Sequence, residues 1–298
     1  METEQLYREH RGMLIGLAYR MLGSAADAED IVQDTFIAFA QVPEANVRSA
    51  KSYLCKMVAN RCIDKLRGSA SKRETYIGPW LPEPVITDDG GSLEGDPLNR
   101  YVHKESLSTA YLLLLQQLTW TERAVFLLRE VLDFEYDEIA DVVGKSSVNC
   151  RQIFRRAKRS IGEAPLATPS LHGKTAELVL RFAEAMQSGS VPKLLEVLAA
   201  DAVMRNDGGG KILAATKPIL GADRIIRFFL GIQAKAKGAY SFAFAEVNGL
   251  GGIVTLKNGR PHGVLSFEVR GEQIVNLFYV VNPEKLARLQ ADHIRPIA

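Results

Sequence analysis

The sequence predicts a multidomain protein, with two all-α segments followed by an α+β domain built on a curved antiparallel sheet. Three observations carry this expectation. Apolar residues recur at helical spacing from Gln5 to Ile161. Between these limits the pattern is broken over 71–105, where Pro79, Pro82, Pro84 and Pro97 stand with Gly90 and Gly91. Beyond Ala239 the period changes to two, with Tyr240, Phe242 and Phe244 alternating with small residues, and Leu265, Phe267 and Val269 with Ser266, Glu268 and Arg270. The chain is thereby divided into 1–70, a linker 71–105, 106–163, a short linker 164–173 with Pro165 and Pro169, and 174–298.

Composition bounds the function. The 298 residues are 47% hydrophobic, enough to fill real cores. Lys plus Arg (37) barely exceeds Asp plus Glu (35), so any nucleic-acid partner must be announced by local charge and not by the total. Cys55, Cys62 and Cys150 occupy apolar helix positions without metal-ligand spacing, which implies no metal, no disulfide framework and no cofactor, and fits a reduced cytoplasm. No apolar run has the length of a membrane span, and the amino end is charged, so no membrane partner is expected.

A first helix is expected with Leu6, Met13, Leu14, Leu17, Ala18 and Met21 on one side, then a break at Gly23-Ser24 and a second helix over Ala25 to Phe39. In the second, Asp27, Asp30 and Asp34 share one face while Ile31, Val32, Phe36 and Phe39 point inward. The helix dipole accounts for acids near an amino end, but Asp34 lies too far along for that. After a loop from Pro43, Lys51 to Arg67 reads as a helix with Leu54, Cys55, Val58, Cys62 and Leu66 as its stripe. Arg48, Lys51, Lys56 and Arg61 have no acid among them between Glu44 and Asp64, Lys65 comes shortly after, and Tyr53 and Asn60 add a ring and a base-edge hydrogen-bonder. Such a set suits single-stranded DNA, although a plain amphipathic helix would share its stripe.

The linker is acidic, with Glu83, Asp88, Asp89, Glu94 and Asp96, as suits a solvated, extended segment. Within it Trp80, Leu81 and Pro82 form an apolar patch that invites docking onto another surface. Leu107 to Gln117 is expected as a helix, and Thr119 with Glu122 caps the next, whose Ala124, Val125, Leu127, Leu128, Val131 and Leu132 pack against the segment from Glu135 to Ile161.

Glu135 to Ile161 fits a helix-turn-helix. Ile139, Ala140 and Val143 make the inner side of its first helix, Gly144-Lys145 the turn, and Ser146 or Ser147 the cap of the second. In the second helix Cys150, Phe154, Ala157 and Ile161 form the expected buried stripe. The other side carries Gln152, Arg155, Arg156 and Arg159 flanked by Arg151 and Lys158, with no acid between Asp141 and Glu163. Solvated faces usually mix both signs, so this face is read as one for phosphates and guanine edges.

DAEDIVQDTF at 27–36 followed by KSYLCKMVANRCIDKLR resembles region 2 of the extracytoplasmic-function sigma factors of bacterial RNA polymerase, and LTWTERAVFLLREVLDFEYDEIADVVG with its basic helix resembles their region 4. The resemblance implies a region 2 helical bundle and a region 4 helix-turn-helix. It implies that the face of Asp27, Asp30 and Asp34 docks on the clamp coiled coil of the largest subunit of core RNA polymerase. It also implies that Arg48, Lys51, Lys56, Asn60, Arg61 and Lys65 meet single-stranded promoter DNA at −10, and that Ser147, Asn149, Arg151, Gln152, Arg155 and Arg156 read double-stranded DNA at −35. The family's tryptophan before Leu54 is Tyr53 here, which keeps an aromatic ring.

Over 174–298, helices are expected at Lys174 to Gln187, Pro192 to Ala199 and Ala222 to Ile232, then strands with a hairpin turn at Asn258-Gly259 and a return through Gly271 into Ile274 to Val281. Three helices before such a sheet resemble the SnoaL-like cone. WLPEP in the linker, DGGGK (Asp207, Gly208, Gly209, Gly210, Lys211) and NPEKL (Asn282, Pro283, Lys285) match the sigma-factor subgroup carrying this extension. Asn282 and Pro283 suit the start of a terminal helix through Leu289. The resemblance implies a built-in regulator, with these three motifs as the interdomain contact and a cone that leaves room for a small-molecule ligand. SnoaL-like domains also include cyclases and hydrolases, and His262 with Asp207 would be the residues to perform such chemistry. No second carboxylate demands catalysis, so the expectation is a non-enzymatic factor. A one-component repressor leaves the acidic helix unexplained.

Overall fold

The computed structural model describes residues 3–43, 47, 49–87, 107–162, 169–236, 239–289 and 295–296. The chain divides into two compact units. One holds the described residues up to Glu74 together with Tyr111 to Gly162, and the other holds Thr75 to Thr87, 107–110 and the residues from Pro169 onward.

In the first unit α1 (Thr3–Leu22), α2 (Ala25–Phe39) and α3 (Ala50–Glu74) pack as a bundle. Leu14, Leu17, Ala18 and Met21 of α1 are buried, but so are Ile15 and Tyr19, because α1 is enclosed on more than one side. Ser24 starts α2 by accepting a hydrogen bond from the Asp27 amide. α3 runs to Glu74, past its expected end at Arg67, since no proline stands before Pro79 to stop it. Leu54, Cys55, Val58 and Cys62 are completely buried, as their spacing predicts, and Leu54→Ala would cost about 2–5 kcal/mol.

The helix-turn-helix follows α4 (Thr109–Gln116) and α5 (Trp120–Glu130). The capping box at α5 is present, with Thr119 and Glu122 exchanging backbone hydrogen bonds. α6 (Tyr136–Val143) ends at Gly144, whose φ of 65° is the left-handed conformation that glycine tolerates, and Ser146 caps α7 (Ser147–Ile161) by accepting from the Asn149 amide. Two expectations need correction here. The inner residues of α6 are Ile139 and Val142, with Ala140 and Val143 half-buried. The α7 stripe runs through Cys150, Ile153, Ala157 and Ile161, while Phe154 sits at the stripe's edge, stacked on Phe126 at 6.0 Å. Ile153 and Phe154 are neighbours on a helix, and the larger ring finds its partners on the rim of the core.

The second unit begins with α8 (Pro169–Gln187) and α9 (Val191–Val197), and closes on a seven-stranded sheet in the order β2-β1-β6-β5-β4-β3-β7. The strands are β1 (Leu198–Asp207), β2 (Ile219–Leu220), β3 (Tyr240–Val247), β4 (Leu250–Lys257), β5 (Arg260–Arg270), β6 (Gln273–Val280) and β7 (Arg295–Pro296), with α10 (Ala222–Ala236) after β2 and α11 (Pro283–Leu286) after β6. Helices α8, α9 and α10 cover one sheet face through Phe182, Leu194, Ile225 and Phe229, which pack with Met204, Leu265, Phe267 and Leu277. The hairpin turn at Asn258-Gly259 has positive φ at both residues, as expected. Three details differ from expectation. β1 and β2 come before the third helix, because Leu198 and Ala199 leave α9 and pair with β6. β1 runs parallel to β6 while the other named pairs are antiparallel, so the sheet is mixed. α11 stops at Leu286 instead of reaching Leu289, with Asn282 as its cap and Pro283 in its first turn.

Candidate nucleic-acid interface and linker site

On α2, Asp30 and Asp34 are exposed and lie one turn apart, with Gln33 and Ile37 beside them. Ile37, 59% exposed, went unnoticed in the sequence because it breaks no pattern, yet an apolar side chain next to fixed negative charge is what a protein-docking face presents. Asp27 is different, because its carboxylate pairs with Lys65 Nζ at 2.7 Å. Two residues assigned to separate partners are therefore partners of each other in this structure.

On α3, Lys51, Lys56 and Asn60 are exposed and Arg61 half-exposed. Tyr53 packs against Phe39 with ring centroids 5.9 Å apart. Arg48 lies outside the described residues. On α7, Arg151, Gln152, Arg155, Arg156 and Arg159 are all exposed, with Ser147 and Asn149 half-exposed in the first turn. Lys158 turns back to Glu130 at 3.0 Å, and Arg151 lies over the Tyr136 ring at 5.4 Å. The helix thus presents Gln152, Arg155 and Arg156 together to solvent, about one and a half to two and a half turns from its amino end.

The linker motif belongs to the second unit, where residues 75–87 form a strap. Asp207, fully buried at the end of β1, holds its first half. Its Oδ1 accepts from the Tyr76 hydroxyl at 2.5 Å and from the Gly209 amide at 3.1 Å, and its Oδ2 from the Leu81 amide at 2.8 Å and from Lys285 Nζ at 2.7 Å. Lys285 also donates to the Leu81 carbonyl and sits over the Trp80 ring at 3.8 Å, where a desolvated cation–π contact is worth about 2 kcal/mol. Asn282 donates to the Tyr76 hydroxyl at 3.0 Å while its Oδ1 caps α11. Burial, followed by the hydrogen bond to the Asp207 carboxylate, pushes the Tyr76 hydroxyl's pKa upward, so it remains a donor.

Gly208, Gly209 and Gly210 let the chain turn over this centre. A Cβ on Gly209 would lie 2.3 Å from Asn282 Nδ2, and one on Gly210 would lie 2.9 Å from Ile77. Lys211 pairs with Glu284 of α11. The second half of the strap is bound to the turn between β3 and β4, where Val85 and Asn248 exchange hydrogen bonds and the Thr87 hydroxyl donates to Glu246 at 2.7 Å. Leu81, Pro82 and Glu83 are buried, so Glu83 is no part of a solvated acidic linker, and Asp88, Asp89, Glu94 and Asp96 lie outside the described residues. Tyr76 and Asn248 are the contacts the sequence hid, since neither stands in a motif with a period or a charge pattern.

Comparison with known proteins agrees with this architecture. The family model Sigma-70 region 2 matches residues 6–72, and the model Sigma-70, region 4 matches residues 108–161. The chain is 32% identical over 289 residues to the ECF RNA polymerase sigma factor SigJ of Mycobacterium tuberculosis, an alignment covering 93% of this chain and 90% of that protein. The chain belongs to the ECF sigma factors. It is also 27% identical over 288 residues to the probable ECF sigma factor SigI of the same organism, covering 96% of this chain and 95% of the relative. The crystal structure of SigJ superposes with a TM-score of 0.76 at 28% identity, covering 95% of this chain and 98% of that one.

As an ECF sigma factor the protein is a core-polymerase-binding initiation subunit and not an enzyme. Asp207 takes its four hydrogen bonds from Tyr76, Leu81, Gly209 and Lys285, while His262 packs edge-on against Tyr240 at 5.3 Å. Burial and nearby Lys257 push the His262 pKa down. Among the described residues, no helix is long and apolar enough to cross a membrane, and no cluster of metal-ligating side chains is present.

Proposed function

We propose that this sigma factor docks on the clamp coiled coil of the largest polymerase subunit through Asp30, Asp34 and Ile37, with Asp27 positioned by Lys65. The −35 element is read in the major groove by the first two turns of α7 through Ser147, Asn149, Arg151 and Gln152, with Arg155 and Arg156 behind them. Lys51, Lys56, Asn60 and Arg61 track the strand opened at −10, with Arg48 before them. The observation that carries the reading is the α7 face, whose exposed guanidinium groups meet no acid on that helix. Affinity for both elements then falls as salt rises, since each phosphate contact releases counterions.

The C-terminal body acts as a tethered regulator of the two DNA-binding halves, gripping the segment that joins them through Trp80, Leu81, Pro82, Asp207, Lys285 and Asn282. A contact made within one chain works at an effective concentration on the order of millimolar, so it needs no separate inhibitor protein. Run-off transcription with purified core polymerase on a promoter library tests the whole reading. Alanine at Gln152, Arg155 and Arg156 should remove dependence on the −35 sequence, and retained dependence would overturn the assignment.

A ligand in the C-terminal body is a second element of the proposal. Asn206 is 1% exposed on β1, and neither side-chain amide atom meets a protein partner. Burying such a group unpaired costs about 1–3 kcal/mol, which a molecule with one donor and one acceptor would offset. If Asn206→Leu stabilises the protein and leaves transcription unchanged under every growth condition tested, this element is removed.

A further inference from the structure

In two pairs of neighbouring apolar residues of the C-terminal unit only one member faces the core, and the two left over meet in one place. On α9 Leu194 is completely buried, so Leu195, one position on, points outward and is 44% exposed. In β2 Ile219 packs on the core, and Leu220, on the other side of the strand, is 55% exposed. Single exposed leucines are ordinary, but these two line one cleft of about 610 Å³ between α9, the first part of β1, β2 and the start of α10. That volume is in the range of small-molecule sites, about 300–1,000 Å³. Gly221 turns the chain from β2 into α10 with φ at 88°, its amide donating to the Ala202 carbonyl at 2.8 Å. The turn brings Arg224 and Arg227, three positions apart on α10, to the same cleft. Both are exposed, and among the described residues neither guanidinium makes an ion pair or a hydrogen bond. Arg181, Arg205 and Arg270 of the same unit are instead spent on Glu196, Asn276 and Glu268. Asp223 also lines the cleft, so two guanidinium groups against one carboxylate leave a single positive charge in excess.

This lining selects a class of ligand. Guanidinium groups form charge-assisted, often bidentate hydrogen bonds with a carboxylate, phosphate or sulfonate, and the leucines gain from contact with apolar surface. A bare anion would leave the leucines in water, and a neutral hydrocarbon would leave the arginines unused. We propose that the cleft binds a small amphiphilic anion, with its acid group on Arg224 and Arg227 and its apolar chain or ring on Leu195 and Leu220. Asp223 favours a single negative charge on the ligand, because each further charge meets its carboxylate as well. The cleft lies at the start of β1, whereas Asn206 and Asp207 stand at the far end of that strand, so the site is separate from the strap centre and from the Asn206 site and rests on neither. A ligand that binds only the folded unit stabilises it by mass action, and so acts on the body that holds the strap.

The test uses the full-length protein with two soluble probes, anilinonaphthalene sulfonate, whose fluorescence rises in an apolar site, and decanoate. The fluorescent probe should bind saturably and be displaced by decanoate, with decanol and inorganic phosphate each about tenfold or more less effective. Arg224→Gln with Arg227→Gln should weaken the probe by about tenfold or more, as expected for lost charge-assisted contacts, at an unchanged melting temperature. Leu195→Gln with Leu220→Gln should weaken it as well, and this second pair decides the matter if the first does not fold. Wild-type affinity in the folded variants would overturn the site, as would the absence of saturable binding to the wild-type chain. Displacement by decanol as effective as that by decanoate would contradict recognition of the acid group, and equal displacement by phosphate would reduce the cleft to a simple anion site. Binding to phosphatidylglycerol vesicles that decanoate does not displace would make the patch a membrane surface and overturn the proposal.

Discussion

The residues singled out for function in the first unit point outward, whereas those in the C-terminal unit point at one another. Asp30, Asp34, Gln152, Arg155 and Arg156 are exposed, on faces of a single sign. Asp207, Lys285, Asn282 and Leu81 are spent on a network closed within the unit, with Asp207 fully buried and the Lys285 side chain 11% exposed. The difference separates two kinds of site. An unmatched charge in solvent costs little and waits for a partner from outside, while a buried ion pair is stable only if its own chain supplies every remaining hydrogen bond. Mutations at these exposed residues of the first unit should therefore change binding and leave the fold alone, and mutations in the network of the second should change the fold of the strap first.

The largest expected effect comes from the buried side. Asp207→Ala leaves Lys285 buried without its carboxylate and frees the Tyr76 hydroxyl and the Leu81 amide, which should destabilise the C-terminal unit by about 3–5 kcal/mol. Chemical denaturation followed by Trp80 fluorescence measures this, and a loss under about 1 kcal/mol would mean that the network is ornamental. Gly209→Ala comes next. With φ at 59° and a new Cβ driven against Asn282, it should cost about 1–3 kcal/mol and raise proteolysis within residues 75–87. If protection of the strap is unchanged, the glycine loop does not hold it. On the exposed side, Ser146→Ala removes the α7 cap and should cost about 1 kcal/mol of thermal stability, with a matching weakening of −35 binding. Equal stability would place the helix start elsewhere.

Much of this was legible in the sequence, and its legibility tracked the same division. Charge segregation and capping are local, so α2, the Thr119 box, Gly144, Ser146 and the basic face of α7 could be read from neighbouring residues. The α7 stripe was misread at Phe154 because Ile153 and Phe154 are both apolar, and only the position of Phe126 decides which goes inward. β1 was missed because Asp201, Arg205 and Asp207 blur its alternation, and its strand conformation depends on pairing with β6, which lies about 70 residues downstream. Trp80, Asp207 and Lys285 stood in three motifs that resemblance assigned to one contact, but their chemistry was invisible until folding brought chain positions more than 100 residues apart within hydrogen-bond distance. Glu83 counted as a linker charge for the same reason: its burial is decided by the sheet it lies on.

The exposed side makes the sharper claim, since it says that charge can be reversed there without structural consequence and with complete functional loss. Asp30→Lys with Asp34→Lys should leave the melting temperature within about 1 °C, as expected for surface substitutions worth under about 0.5 kcal/mol. The decisive measurement is co-purification of this double variant with core RNA polymerase. The account predicts that association is abolished while the folded protein remains intact, and association at the wild-type level would contradict it.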